Sequence, residues 1–83
     1  MQHLDEVRAV LDDSLGLGGG ARRLNAESPL LGSLPELDSM AVIGLISALE
    51  ARFDISVDDD EIEARHFATL GSLAEFVSAK LAA

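Results

Sequence analysis

The residues whose types and spacing could support chemistry centre on Asp38-Ser39-Met40. A hydroxyl that follows an acid and opens the dense apolar run Ala41 to Phe53 predicts a serine at the N-terminus of a helix. Backbone N–H groups there lack partners inside the helix, and the aligned peptide dipoles place partial positive charge beside the side chain. A phosphate linked to Ser39 is well placed in such a position. The same serine as a hydrolase nucleophile would need a strand-to-helix elbow, a poised histidine and an oxyanion hole, and none is signalled.

Other chemistries fall away on spacing. His3 and His66 are far apart and poor in companions, so neither a metal site nor a catalytic pair is expected, and surface or edge positions are. Asp58-Asp59-Asp60-Glu61 has the acids of a calcium loop without its glycine or distal glutamate, and reads better as the start of a short helix with Asp58 as N-cap. Gly18-Gly19-Gly20 follows no strand and precedes no Gly-Lys-Ser/Thr, which makes it a flexible linker rather than a phosphate cradle. The absence of cysteine excludes disulfides, thiolate zinc and a thiol nucleophile.

An 83-residue chain forms one small domain, residues 1–83, with little room for an enclosed active site. Fifteen acidic against six basic residues give a net charge of -9, which disfavours nucleic acid and anionic membranes and favours partners with basic patches. No apolar run spans a bilayer, and Met1 to Leu15 is too acidic for a signal peptide, so the expected location is cytoplasmic without stable membrane insertion.

The elements that must position Ser39 are helical. Leu4, Val7, Leu11 and Leu15 make an amphipathic first helix with Val10 at its edge, Asp5, Glu6, Asp12 and Asp13 facing away, and Gly16 as C-cap. Ala21 to Leu37, broken by Pro29 and Pro35, is a long loop that needs anchoring by some of Leu30, Leu31, Leu34 and Leu37; Arg22 and Arg23 mark a solvated turn. Thr69 caps a last helix with a buried stripe of Leu70, Leu73, Ala74, Val77 and Leu81, and Phe76 at its edge. Ile62 and Phe67 face inward from the short element between. The fold class is all-α, a bundle of three main helices plus one short helix.

The helix behind Ser39 carries two apolar faces. Val42, Leu45, Ile46, Leu49 and Phe53 form a core stripe, while Met40, Ile43, Gly44, Ser47, Ala48 and Ala51 form an opposite face without charge. That face either docks a partner or is covered by the long loop, and so short a chain has little material to cover both faces.

Asp38-Ser39-Met40, followed by Ala48-Leu49-Glu50 and Phe53-Asp54, resembles the Asp-Ser-Leu, Ala-Leu-Glu and Phe signature of acyl carrier proteins and the wider phosphopantetheine-attachment family. The likeness runs through the chain in family order, from the Leu15-Gly16-Leu17 ending of the first helix to the closing helix. It implies an acyl-carrier-like bundle, a monomer with no catalysis of its own. Ser39 would accept 4'-phosphopantetheine from coenzyme A through a separate phosphopantetheinyl transferase that needs Mg²⁺, with Asp38 aiding recognition. Leu45, Leu49 and Phe53 would line an acyl cavity. Met40, Ile43, Gly44, Ser47 and Glu50 would meet partners, namely the transferase, an acyl-loading ligase and acyl-transferring enzymes.

Several positions depart from the pattern. Ala41 and Gly44 stand where carriers of fatty-acid synthesis place acids, and Arg52 replaces another. Methionine follows the serine in place of leucine, a change that conserves volume. Leu31-Gly32-Ser33 and Leu34-Pro35-Glu36-Leu37 are similar to the dedicated carriers of bacterial exosortase and exopolysaccharide systems. An unmodified acidic helical module that binds a protein through the uncharged face is the alternative reading.

Overall fold

The structure, a computed structural model, describes residues 2–82. Three α-helices, α1 (Leu4–Leu15), α2 (Ser39–Phe53) and α3 (Leu70–Ala82), enclose one core, and two short 3₁₀ helices, Gly20–Arg23 and Ala64–Phe67, lie in the connections. Val7 and Leu11 of α1, Leu45, Leu49 and Phe53 of α2, and Leu70, Leu73, Ala74 and Val77 of α3 are buried, so each helix turns its apolar stripe inward as its period requires. Leu81, predicted in the buried stripe, is instead 40% exposed, because it falls in the last turn of α3, beyond the buried Val77.

Local contacts fix two of these helix ends. Gly16 ends α1 in the left-handed region at φ 64°, where a Cβ is strained, and its N–H returns to the carbonyls of Asp12 and Asp13. Thr69 Oγ1 accepts the N–H of Ser72 at 3.0 Å and caps α3. Arg52 at the end of α2 donates to Glu6 of α1 and lies over the Phe53 ring, joining two helix ends that meet in the bundle.

The glycine-rich stretch is an ordered turn, not a linker. Asp12, expected to face away, points its carboxylate along the loop and accepts the N–H groups of Gly19 and Ala21, both at 3.0 Å. Ala21 is buried as a result, while Arg22 and Arg23 remain exposed on the 3₁₀ turn.

The long loop is anchored by Leu30 and Leu37, which are buried, and by the half-buried Leu34, while Leu31 is 44% exposed. Its backbone pairs in antiparallel fashion with the turn before α3: Leu30 N–H donates to Ala68, Leu70 N–H to Ser28 and Gly71 N–H to Ala26. These bonds satisfy main chain that a loop near the core would leave orphaned.

The short helix begins later than Asp58. Residues 58–61 form a turn, closed by Glu61 N–H donating to Asp58 O and Asp58 N–H donating to Glu61 Oε2, and the helical turn starts at Ala64. Lys80 holds Glu61 by two bonds of 2.7 and 3.0 Å, which fixes the acid in the turn instead of a first helical turn. Ile62 is half-buried and Phe67 buried, both directed inward.

Candidate functional site

Ser39 is the first residue of α2 and is exposed. The preceding Asp38 has extended backbone, and its Oδ1 accepts the N–H of Ala41 at 2.8 Å. Val42 N–H bonds to Asp38 O, as the first intrahelical bond. The N–H groups of Ser39 and Met40 precede the first intrahelical donor, Val42 N–H, and stay available to an anion at the positive end of the helix. The cap therefore belongs to Asp38, and the hydroxyl of Ser39 is left to react or be modified.

Beside Ser39 runs an open groove of about 380 Å³. Leu37, Asp38, Ser39 and Val42 line one side, Ile62, Glu63, Ala64 and Phe67 the other, with Leu31 at the rim. The groove is apolar apart from its Asp38, Ser39 and Glu63 edges. Leu45, Leu49 and Phe53, expected to line an acyl cavity, do not reach it; they are closed into the core between helices. Sequence reasoning missed the opposite wall because it comes from a connection distant in sequence; the inward-facing pair Ile62 and Phe67 was the one signal for it.

The uncharged face of α2 is open to solvent among the described residues. Met40 is 75% and Ile43 62% exposed, and Gly44, Ser47 and Ala51 are exposed beside them. A Cβ built on Gly44 meets nothing, so the glycine reflects no packing constraint here. Glu50, expected on this surface, is half-buried instead, and its Oε2 accepts the N–H of Val57 at 2.9 Å, supporting the chain after α2. Arg52 pairs with Glu6, so it offers a partner no free cation.

His3 and His66 sit in different parts of the molecule. His3 Nδ1 contacts Glu6, whereas His66 Nδ1 accepts the N–H of Glu63. Among the described residues no group of three or more His, Cys, Asp or Glu side chains is placed to hold a metal ion. A second hollow, about 410 Å³ between α1 and the glycine turn, is lined by Asp5, Arg8, Asp12 and Arg22 and lies away from Ser39.

Residues 5–77 match the family described as phosphopantetheine attachment site. The chain is 45% identical over 77 residues to an acyl carrier protein of Sulfurovum sp. (strain NBC37-1), covering 93% of this chain and 96% of that one. It is 31% identical over 75 residues to an acyl carrier protein of Clostridium acetobutylicum, with 90% of this chain and 91% of that one covered. Among solved structures it is similar to a holo acyl carrier protein of Nitrosomonas europaea determined by NMR in solution, at 60% identity over the whole of both chains with a TM-score of 0.93.

Proposed function

The chain belongs to the phosphopantetheine-attachment family, and on that premise we propose that it is an acyl carrier protein whose prosthetic arm is joined to Ser39. The supporting observation is an exposed serine at the first position of α2, with uncommitted backbone N–H groups above and an apolar groove beside it.

The site fits the group. When attached, 4'-phosphopantetheine supplies the thiol that holds cargo as a thioester, which a sequence without cysteine does not supply itself. The N–H groups of Ser39 and Met40 and the helix dipole offset the charge of a phosphodiester at the Ser39 oxygen. Asp38 fixes the first turn that presents the hydroxyl, and its exposed carboxylate stands beside it for a transferase to recognise. Leu37, Val42, Ile62 and Phe67 shield the cargo next to the arm from water. The groove is the seat for that part of the cargo next to the arm.

Docking rests on Met40, Ile43, Gly44 and Ser47, an apolar strip next to the attachment point. The partners are a phosphopantetheinyl transferase, an acyl-loading ligase and acyl-transferring enzymes. Residues 1–83 form the single carrier unit, monomeric and cytoplasmic; among the described residues no helix is long and apolar enough to cross a membrane.

Intact mass tests this reading. Incubation of the apo-protein with coenzyme A, Mg²⁺ and a promiscuous transferase should add one phosphopantetheine to the wild type and none to Ser39→Ala. An unmodified wild type, under conditions that load a control carrier, would leave the unmodified interaction module as the better reading.

A further inference from the structure

The wall of the groove opposite Ser39 hangs on a histidine. Ile62, Glu63, Ala64 and Phe67 form that wall, and the 3₁₀ helix Ala64–Phe67 rests on α3. Its first turn is closed from both directions: His66 N–H donates to Glu63 O at 3.0 Å, and Glu63 N–H donates to His66 Nδ1 at 2.8 Å. The second bond needs an unprotonated Nδ1, because a protonated imidazole is a donor at both nitrogens.

The ring is clamped where a charge change would be felt. It packs on Phe76 of α3 with ring centroids 4.6 Å apart, and the His66 carbonyl accepts Ser72 Oγ at 3.0 Å. Three charged groups face it: Glu63, which is paired with Arg65 at 2.9 Å, Arg65 itself, and Glu75 of α3 across a shallow hollow of about 280 Å³. The two carboxylates provide a destination for a protonated ring and the guanidinium opposes it.

We propose that His66 is a proton-operated latch on the groove wall: neutral, it holds the Glu63 N–H and keeps the wall against the groove; protonated, it releases that N–H, turns toward Glu75 and lets the wall loosen. The consequence for an arm-borne cargo rests on the carrier reading above, but the latch is a property of the unmodified chain and is tested without the arm.

Amide exchange of the apo-protein, followed by NMR and expressed relative to the unstructured rate at each pH, is the test. Between pH 7.5 and 5.5, where histidines change charge and ordinary carboxylates do not, protection of the Glu63 amide should fall about tenfold, as expected for the loss of one hydrogen bond. His66→Asn, which keeps an acceptor and does not titrate, should hold protection within about twofold, and His3→Gln should show the full fall. In the wild type the methyl shifts of Ile62 and Val42 should follow the His66 ring titration. Unchanged Glu63 protection while the His66 ring titrates, an equal fall in His66→Asn, or methyl shifts that follow His3 would each overturn the latch. None of these results depends on whether Ser39 accepts an arm.

Discussion

Asp38 Oδ1 accepts the backbone N–H of Ala41 at 2.8 Å, so the carboxylate next to Ser39 serves as the cap of the helix that presents it. A group that holds the first turn and also stands beside the hydroxyl can fail in two separable ways. Asp38→Ala should cost about 1 kcal/mol. In a domain of this size that is a fall in Tm of about 4–8 °C. Asp38→Asn keeps the acceptor and should retain most of that stability. If the charge guides the transferase, both variants should be modified more slowly, and thermal melts with initial rates of modification distinguish the cap from the recognition role.

The uncharged strip and Glu50 should respond in opposite ways. Ile43 is 62% exposed on the strip, so Ile43→Asp should leave Tm almost unchanged and lower transferase kcat/KM about tenfold or more, as loss of an apolar contact at an interface does. Glu50 supports Val57 N–H, so Glu50→Ala should lower Tm while kcat/KM stays near wild type. The reverse ranking would return docking to charge.

Leu30 sits in the middle of a connection and yet is fully buried in the core. Leu30→Ala should destabilise the protein by about 2–5 kcal/mol, the range for a buried leucine, whereas Leu31→Ala, at an exposed rim position, should stay within about 0.5 kcal/mol. Urea unfolding of the two variants checks the contrast.

Asp12 gives a pH dependence with a defined sign. The N–H groups of Ala21 and Gly19, and then the charge of Arg22, hold its carboxyl below the ordinary carboxylate value. A group whose acidity is strengthened by folding contributes stability above its unfolded value, near 4, and loses that contribution as pH falls through the lower folded value. Melts at falling pH should therefore show a loss below about pH 4 that is smaller in Asp12→Asn, together with a lower Tm for that variant at neutral pH.

Periodic features were legible in the sequence. The stripes of α1 and α2, Gly16 as a stop, Thr69 as a cap and Ser39 at a helix start all depend on residues within a turn or two of each other. The parts that were not legible depend on distant partners. Asp12 orders the glycine turn from the preceding helix, Lys80 pairs with Glu61 in the turn at 58–61, and Glu50 Oε2 accepts the N–H of Val57. The groove is the same case: its Ser39 side follows from the helix start, while its far wall arrives from 62–67 through tertiary packing.

Which oxygen among eight serines carries the arm is read by fragment-ion mapping of the loaded protein. A single phosphopantetheine should be found on the fragment ions that contain Ser39 and be absent from those that isolate Ser33 or Ser47. An adduct on any other serine, or loading that persists in Ser39→Ala, would contradict attachment at Ser39.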